Sequence, residues 1–192
     1  MIKNKFKYIL VLILIAVMSV TCCACGGGKR SDSFNNLDDY ANAQGYRNWY
    51  YCFGSVEEPE YMTFDTNIGW WKGRDSYSLI EIVAMCPGLR TETMMAFEAP
   101  YDCAASVKLV CKLTNPTTMQ GPDGVFVYAL YDDPYSDYLC SQKVDKEDVK
   151  EYVFEFDVDM KEGKRLWFVL NAGNNNAYDN MRFDITVDVI EK

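Results

Sequence analysis

Along much of this chain apolar and polar residues alternate one by one. Ala105, Val107, Leu109, Cys111 and Leu113 alternate with Ser106, Lys108, Val110, Lys112 and Thr114. Tyr152, Phe154, Phe156, Val158 and Met160 alternate with Val153, Glu155, Asp157 and Asp159, and Met181, Phe183, Ile185, Val187 and Val189 with Arg182, Asp184, Thr186 and Asp188. A period of two sends successive side chains to opposite faces of an extended backbone, so each stretch predicts a strand with one dry and one wet face. Shorter apolar runs at 48–54, 80–85, 93–98, 125–131 and 166–170, with a weaker one at 138–141, predict further strands. Between them stand breakers such as Cys86-Pro87-Gly88, Pro100, Gly121-Pro122-Asp123-Gly124, Asp132-Asp133-Pro134 and Glu162-Gly163. Eight or nine strands with no convincing internal helix predict an all-β fold over 37–192: an antiparallel β-sandwich of jelly-roll topology, without repeat or second domain.

The N-terminus follows a different pattern. Lys3, Lys5 and Lys7 precede an apolar run from 8 to 20. That run is too short to span a bilayer, which takes about 20 residues, but it suits the apolar region of a signal peptide. Residues 20–25, Val-Thr-Cys-Cys-Ala-Cys, resemble a bacterial lipoprotein box, with Cys23 the best fit for lipidation and Cys25 the competing site. Cys22 departs from the small residue usual before the lipidated cysteine. The expected organisation is a signal peptide at 1–22, a flexible tether at 23–36 rich in Gly, Lys, Arg and Ser, and the sandwich beyond. It implies an exported protein, lipid-anchored to the bacterial cell membrane with its domain facing outside; secretion without lipid is the alternative.

The whole chain carries a net charge of −9, and residues 1–22 hold three lysines and no acid, so the remainder stands at −12 from 16 basic and 28 acidic residues. That balance argues against nucleic acid and anionic membrane surfaces, both of which select a basic face. Aromatic content of 15% suits strands rather than helices or disorder. Outside the leader stand Cys52, Cys86, Cys103, Cys111 and Cys140, an odd number without paired spacing, which reads as small buried hydrophobes rather than a disulfide framework. The chain has no histidine, which excludes Ser-His-Asp and Cys-His catalysis and argues against zinc. Carboxylates remain for two roles, a glycosidase pair or a calcium site. The calcium candidates are Asp132, Asp133 and Asp137, or Asp179 with Asp184; neither set has an EF-hand register, and solvated acids are the alternative.

Two stretches have the chemistry of sugar recognition, which combines flat aromatic faces with planar hydrogen-bonding groups. Trp70 and Trp71 lie in a segment flanked by glycine and charge, and adjacent side chains on an extended backbone point oppositely, so one of them is expected outside. The loop 171–180 offers Asn171, Asn174, Asn175 and Asn180 beside Tyr178 and Asp179. Asparagines also make turns by bonding their own backbone, the structural alternative for this loop. Trp49, Tyr50 and Tyr51 read as packing residues of a central strand.

The order Gln44-Gly45-Tyr46-Arg47-Asn48-Trp49-Tyr50-Tyr51, Trp70-Trp71-Lys72-Gly73, Cys86-Pro87-Gly88, Ala99-Pro100, Asn171-Ala172-Gly173 and Tyr178-Asp179 resembles a jelly-roll carbohydrate-binding-like module of secreted bacterial proteins, over 39–192. The chain departs from that pattern at Cys103-Ala104, where a glycine is expected, and at Met94-Met95-Ala96-Phe97, where an Arg-x-Trp is expected. The resemblance implies a carbohydrate-binding domain, and with the leader and the missing histidine the expectation is a non-catalytic surface lipoprotein that binds carbohydrate. Trp70 or Trp71 would stack on the sugar, and Asn171, Asn174, Asn175, Tyr178 and Asp179 would bond its hydroxyls. No cofactor is expected beyond a possible structural calcium. Alternatives are an accessory surface protein that meets another protein, and a small carboxylate glycoside hydrolase.

Overall fold

The computed structural model describes residues 28–75 and 77–192, so the predicted signal peptide and Cys23 lie outside the described residues. Among the described residues fourteen strands follow in order: β1 (Ser31–Asn35), β2 (Trp49–Gly54), β3 (Pro59–Tyr61), β4 (Thr63–Asp65), β5 (Trp70–Lys72), β6 (Leu79–Ile80), β7 (Ala84–Cys86), β8 (Glu92–Glu98), β9 (Cys103–Leu113), β10 (Val125–Tyr131), β11 (Cys140–Val144), β12 (Glu151–Met160), β13 (Arg165–Asn171) and β14 (Met181–Glu191). They form two antiparallel sheets. The first runs β12-β9-β14-β7-β6-β5-β4 with β1 also paired to β14, and the second runs β11-β10-β13-β8-β2-β3.

The pairings β7·β14, β8·β13, β9·β12 and β10·β11 nest like the rungs of one long hairpin bent between β10 and β11. Two further pairings, β9·β14 and β10·β13, show that ribbon rolled on itself. This is the jelly roll predicted from the strand spacing. Every inward residue anticipated on β9 and β14 is buried, and each such Phe, Ile, Leu or Val contributes about 1.5–3 kcal/mol. On β12 the anticipated residues are only partly covered up to Met160, because β12 is an edge strand. Gly124 closes the predicted turn at φ 82°, where a Cβ would stand 2.2 Å from the Val144 carbonyl oxygen.

Three expectations are corrected. Residues 31–36 belong to the sandwich and not to a tether, since β1 pairs with β14 from Ser31 to Asn35. Buried Asn36 then donates to the Phe183 carbonyl at 3.3 Å and accepts from Ile185 N–H. Backbone pairing, which composition does not reveal, holds this mostly polar strand. The run 80–85 is the β6–β7 hairpin rather than one strand: Glu81 N–H bonds the Ala84 carbonyl at 2.8 Å, leaving Ile82 and Val83 exposed. A continuous apolar run carries no mark of where it turns. Short strands β3, β4 and β5 raise the number above the eight or nine expected.

Candidate functional site

The two outer faces of the sandwich differ in chemistry. The outer face of the first sheet carries exposed Lys108, Lys112, Glu155, Asp157, Arg182 and Asp188, an ordinary wet surface. On the second sheet both faces are apolar. Trp49, Tyr51, Phe53, Met95, Phe97, Leu166, Phe168 and Leu170 point into the core. Their neighbours of opposite parity form a separate cluster on the outer side: Cys52, Met94, Ala96, Tyr128, Leu130, Trp167 and Val169, flanked by Tyr50 and Phe126. Strand register aligns them as rows across the sheet, Tyr50–Ala96–Trp167–Leu130 and Cys52–Met94–Val169–Tyr128.

Polar groups bound this buried apolar layer at both ends. At one end Arg165 Nε bonds Glu98 at 3.0 Å, and Arg165 Nη2 bonds the hydroxyl of exposed Tyr61 at 2.8 Å. The guanidinium lies 4.1 Å from the Tyr50 ring centroid, a cation–π stack. At the other end a cleft of about 350 Å³ is lined by Val56, Glu57, Arg90, Glu92, Tyr128, Tyr138 and Asn171, among others. Glu92 Oε1 accepts both the Tyr128 hydroxyl at 2.6 Å and Asn171 Nδ2 at 3.1 Å. Burial, then the hydrogen bond and charge of Glu92, push the Tyr128 phenol up, so it remains a protonated donor. The Tyr138 ring packs on Tyr128 with centroids 4.7 Å apart and is 51% exposed. Carboxylate, amide, guanidinium and a half-open aromatic ring converge here.

A larger cleft of about 540 Å³ lies by β3, β4 and β5, lined by Glu60, Tyr61, Asp65, Asn67, Lys72 and Arg74 with others. Its charges are matched internally, Lys72 to Asp65 at 3.5 Å and Arg74 to Glu60. Val56, Tyr128 and Leu130 of the outer apolar cluster line the smaller cleft, whereas no residue of that cluster lines the larger one.

The structure separates the residues singled out in the sequence. Trp71 is a core residue, stacked on Tyr51 at 4.7 Å and 16°, met edge-on by Phe64, with its indole N–H on the Ala41 carbonyl at 3.0 Å. Its ring faces are therefore covered, which corrects its expected use as a platform. Trp70 takes the opposite side of β5 and is partly buried. Among the described residues no hydrogen bond or ring contact links either tryptophan to loop 171–180. In that loop Asn171 alone lines the cleft. Asn174 donates from N and Nδ2 to Asp123 Oδ2 at 3.0 and 3.2 Å, and Asn175 bonds the Gly121 carbonyl at 3.2 Å while accepting from Ala177 N–H. Both amides shape the loops, the turn-making role. Tyr178, at φ 67°, is 45% exposed, whereas Asp179 is buried at 1%. Burial, then the Asp123 charge, push the Asp179 carboxyl up to about 7.

Among the described residues no three His, Cys, Asp or Glu side chains group as a metal site. Asp132 pairs with Lys164 at 2.9 Å, Asp133 accepts Tyr135 N–H, and Asp184 accepts Asn35 Nδ2 at 3.0 Å. Glu92, Arg90, Tyr128 and Tyr138 escaped the sequence reading. The available signal was that 125–131 and 166–170 are apolar at both parities, which a strand with a wet outer face would not be.

No protein-family model and no curated protein sequence matches the chain. A solved structure titled "CBM4 structure and function" aligns at 13% identity with a TM-score of 0.29, covering 64% of this chain and 75% of that one.

Proposed function

We propose that this chain is a non-catalytic carbohydrate-binding lipoprotein of the bacterial cell surface, with its sugar site on the outer face of the second sheet. The observation that carries the reading is the asymmetry between the faces: one charged and exposed, the other a buried apolar layer that opens to solvent at the cleft of Arg90, Glu92, Tyr138 and Asn171. Tyr138 presents ring surface to the C–H face of a pyranose. Arg90 and Asn171 donate to hydroxyls, and Glu92, positioned by Tyr128 and Asn171, accepts from them. Asn171 joins this site; Asn174 and Asn175 support it by holding the loop, and Trp70 stands apart. The domain is exported and held to the membrane by lipid on Cys23, with no direct contact from its acidic body.

Glycan-array binding by the full chain tests the reading. Tyr138→Ala and Glu92→Gln, with unchanged far-UV circular dichroism, are expected to lose affinity about tenfold or more, the equivalent of about 1.4 kcal/mol. A clean negative across plant, host and microbial glycans refutes it, and capture of a protein partner through the same face would replace it. Release of reducing sugar, abolished by Glu92→Gln, would make the site that of a hydrolase. Lipidation is tested by fatty-acid labelling, expected to vanish in Cys23→Ser; loss only in Cys25→Ser would move the anchor.

A further inference from the structure

Two loops, 114–124 between β9 and β10 and 172–180 between β13 and β14, meet at Asp123, whose Oδ2 holds the backbone and side-chain amides of Asn174. The remaining oxygen, Asp123 Oδ1, is buried without a hydrogen-bond partner. So are both carboxyl oxygens of Asp179, which is 99% buried by surface area and feels the charge of Asp123. Neither aspartate is in an ion pair with a basic side chain among the described residues. Two neighbouring carboxylates with three unpartnered oxygens are costly in a protein interior unless a cation or a proton neutralises them.

We propose that Asp123 and Asp179 hold a calcium ion that ties the two loops together. The donors are hard oxygens on irregular backbone, which suits the variable six-to-eight-oxygen coordination of calcium better than the octahedron of magnesium, with loop carbonyls and water completing the shell. The chain has no histidine to draw a softer metal. This goes beyond the carbohydrate reading and does not rest on it.

The test is calorimetric titration of the EDTA-treated full chain with calcium alone, alongside thermal denaturation. One saturable site is expected, with a dissociation constant in the range of about 10⁻⁴ to 10⁻³ M typical of extracellular modules or tighter, and a melting temperature raised by several degrees. Asp179→Asn and, independently, Asp123→Asn are expected to lose that heat and shift while remaining folded by circular dichroism. The proposal is overturned by no response to calcium at about 10 mM, well above that range, which leaves Asp179 neutralised by a proton. It is equally overturned by a response to magnesium only, or by an undiminished calcium response in both variants. None of these outcomes bears on whether glycans bind.

Discussion

Replacing Trp71 by alanine separates the two roles a tryptophan in this segment could have. The indole is 3% exposed, so its removal forfeits close packing on Tyr51 and Phe64 as well as transfer from water. Core Trp→Ala changes cost about 3–5 kcal/mol. That range already includes the lost ring stack of about 0.5–1.5 kcal/mol. Losing the 3.0 Å bond from its N–H leaves the Ala41 carbonyl unpaired and adds about 1 kcal/mol. A total near 4–6 kcal/mol is a large part of the 5–15 kcal/mol that holds a typical domain. Trp71→Phe, which keeps a ring but not the N–H, is expected to cost about 1–3 kcal/mol. Urea denaturation followed by circular dichroism measures both as shifts in midpoint at unchanged slope. A Trp71→Ala protein within 1 kcal/mol of wild type that had nevertheless lost glycan binding would refute the reasoning and return Trp71 to the surface as a binding residue.

Other expectations follow from the same geometry. Glu92→Ala removes the acceptor of Tyr128 and Asn171 and is expected to cost about 1–3 kcal/mol in denaturation; a neutral result would mean that water replaces it readily. In the domain, Ellman's reagent should react slowly before unfolding. Burial pushes the thiols of Cys52, Cys86 and Cys111 up to about 12 and that of Cys140 to about 11, so rapid native reaction of several thiols would contradict the packing. Asp75 bears on acid stability: burial alone would raise its pKa, but hydrogen bonds from Ser78 N–H, Tyr77 N–H and the Thr91 hydroxyl outweigh it and hold the carboxyl below its ordinary 3.8. Its stabilisation is thus present above 3.8 and lost as pH falls through the lower folded value. Asp75→Asn should cost about 1–2 kcal/mol at neutral pH. The difference should shrink in acid below that value, and an equal cost at both pH values would disprove the assignment.

Periodicity alone determined the long strands. Cys103 to Leu113 and Met181 to Glu191 are paired along their lengths and alternate in burial as their sequence alternates, because a strand's two faces are read directly from residue parity. The absence of histidine and the acidic balance likewise narrowed the chemistry before any fold was known. What the sequence could not decide was which faces meet. Trp71 and Asn171 looked like partners in the linear chain, but β5 and β13 belong to different sheets, and Trp71 points inward. Glu92, Tyr128, Tyr138 and Asn171 are scattered over eighty residues and come together only because β8, β10 and β13 are neighbours in the rolled ribbon. Asp123 and Asp179 are related in the same way, through loops between strands that are neighbours in the sheets. Local pattern sets which side of a strand is dry; long-range pairing decides what stands beside it, and the candidate site and proposed calcium site are properties of the second kind.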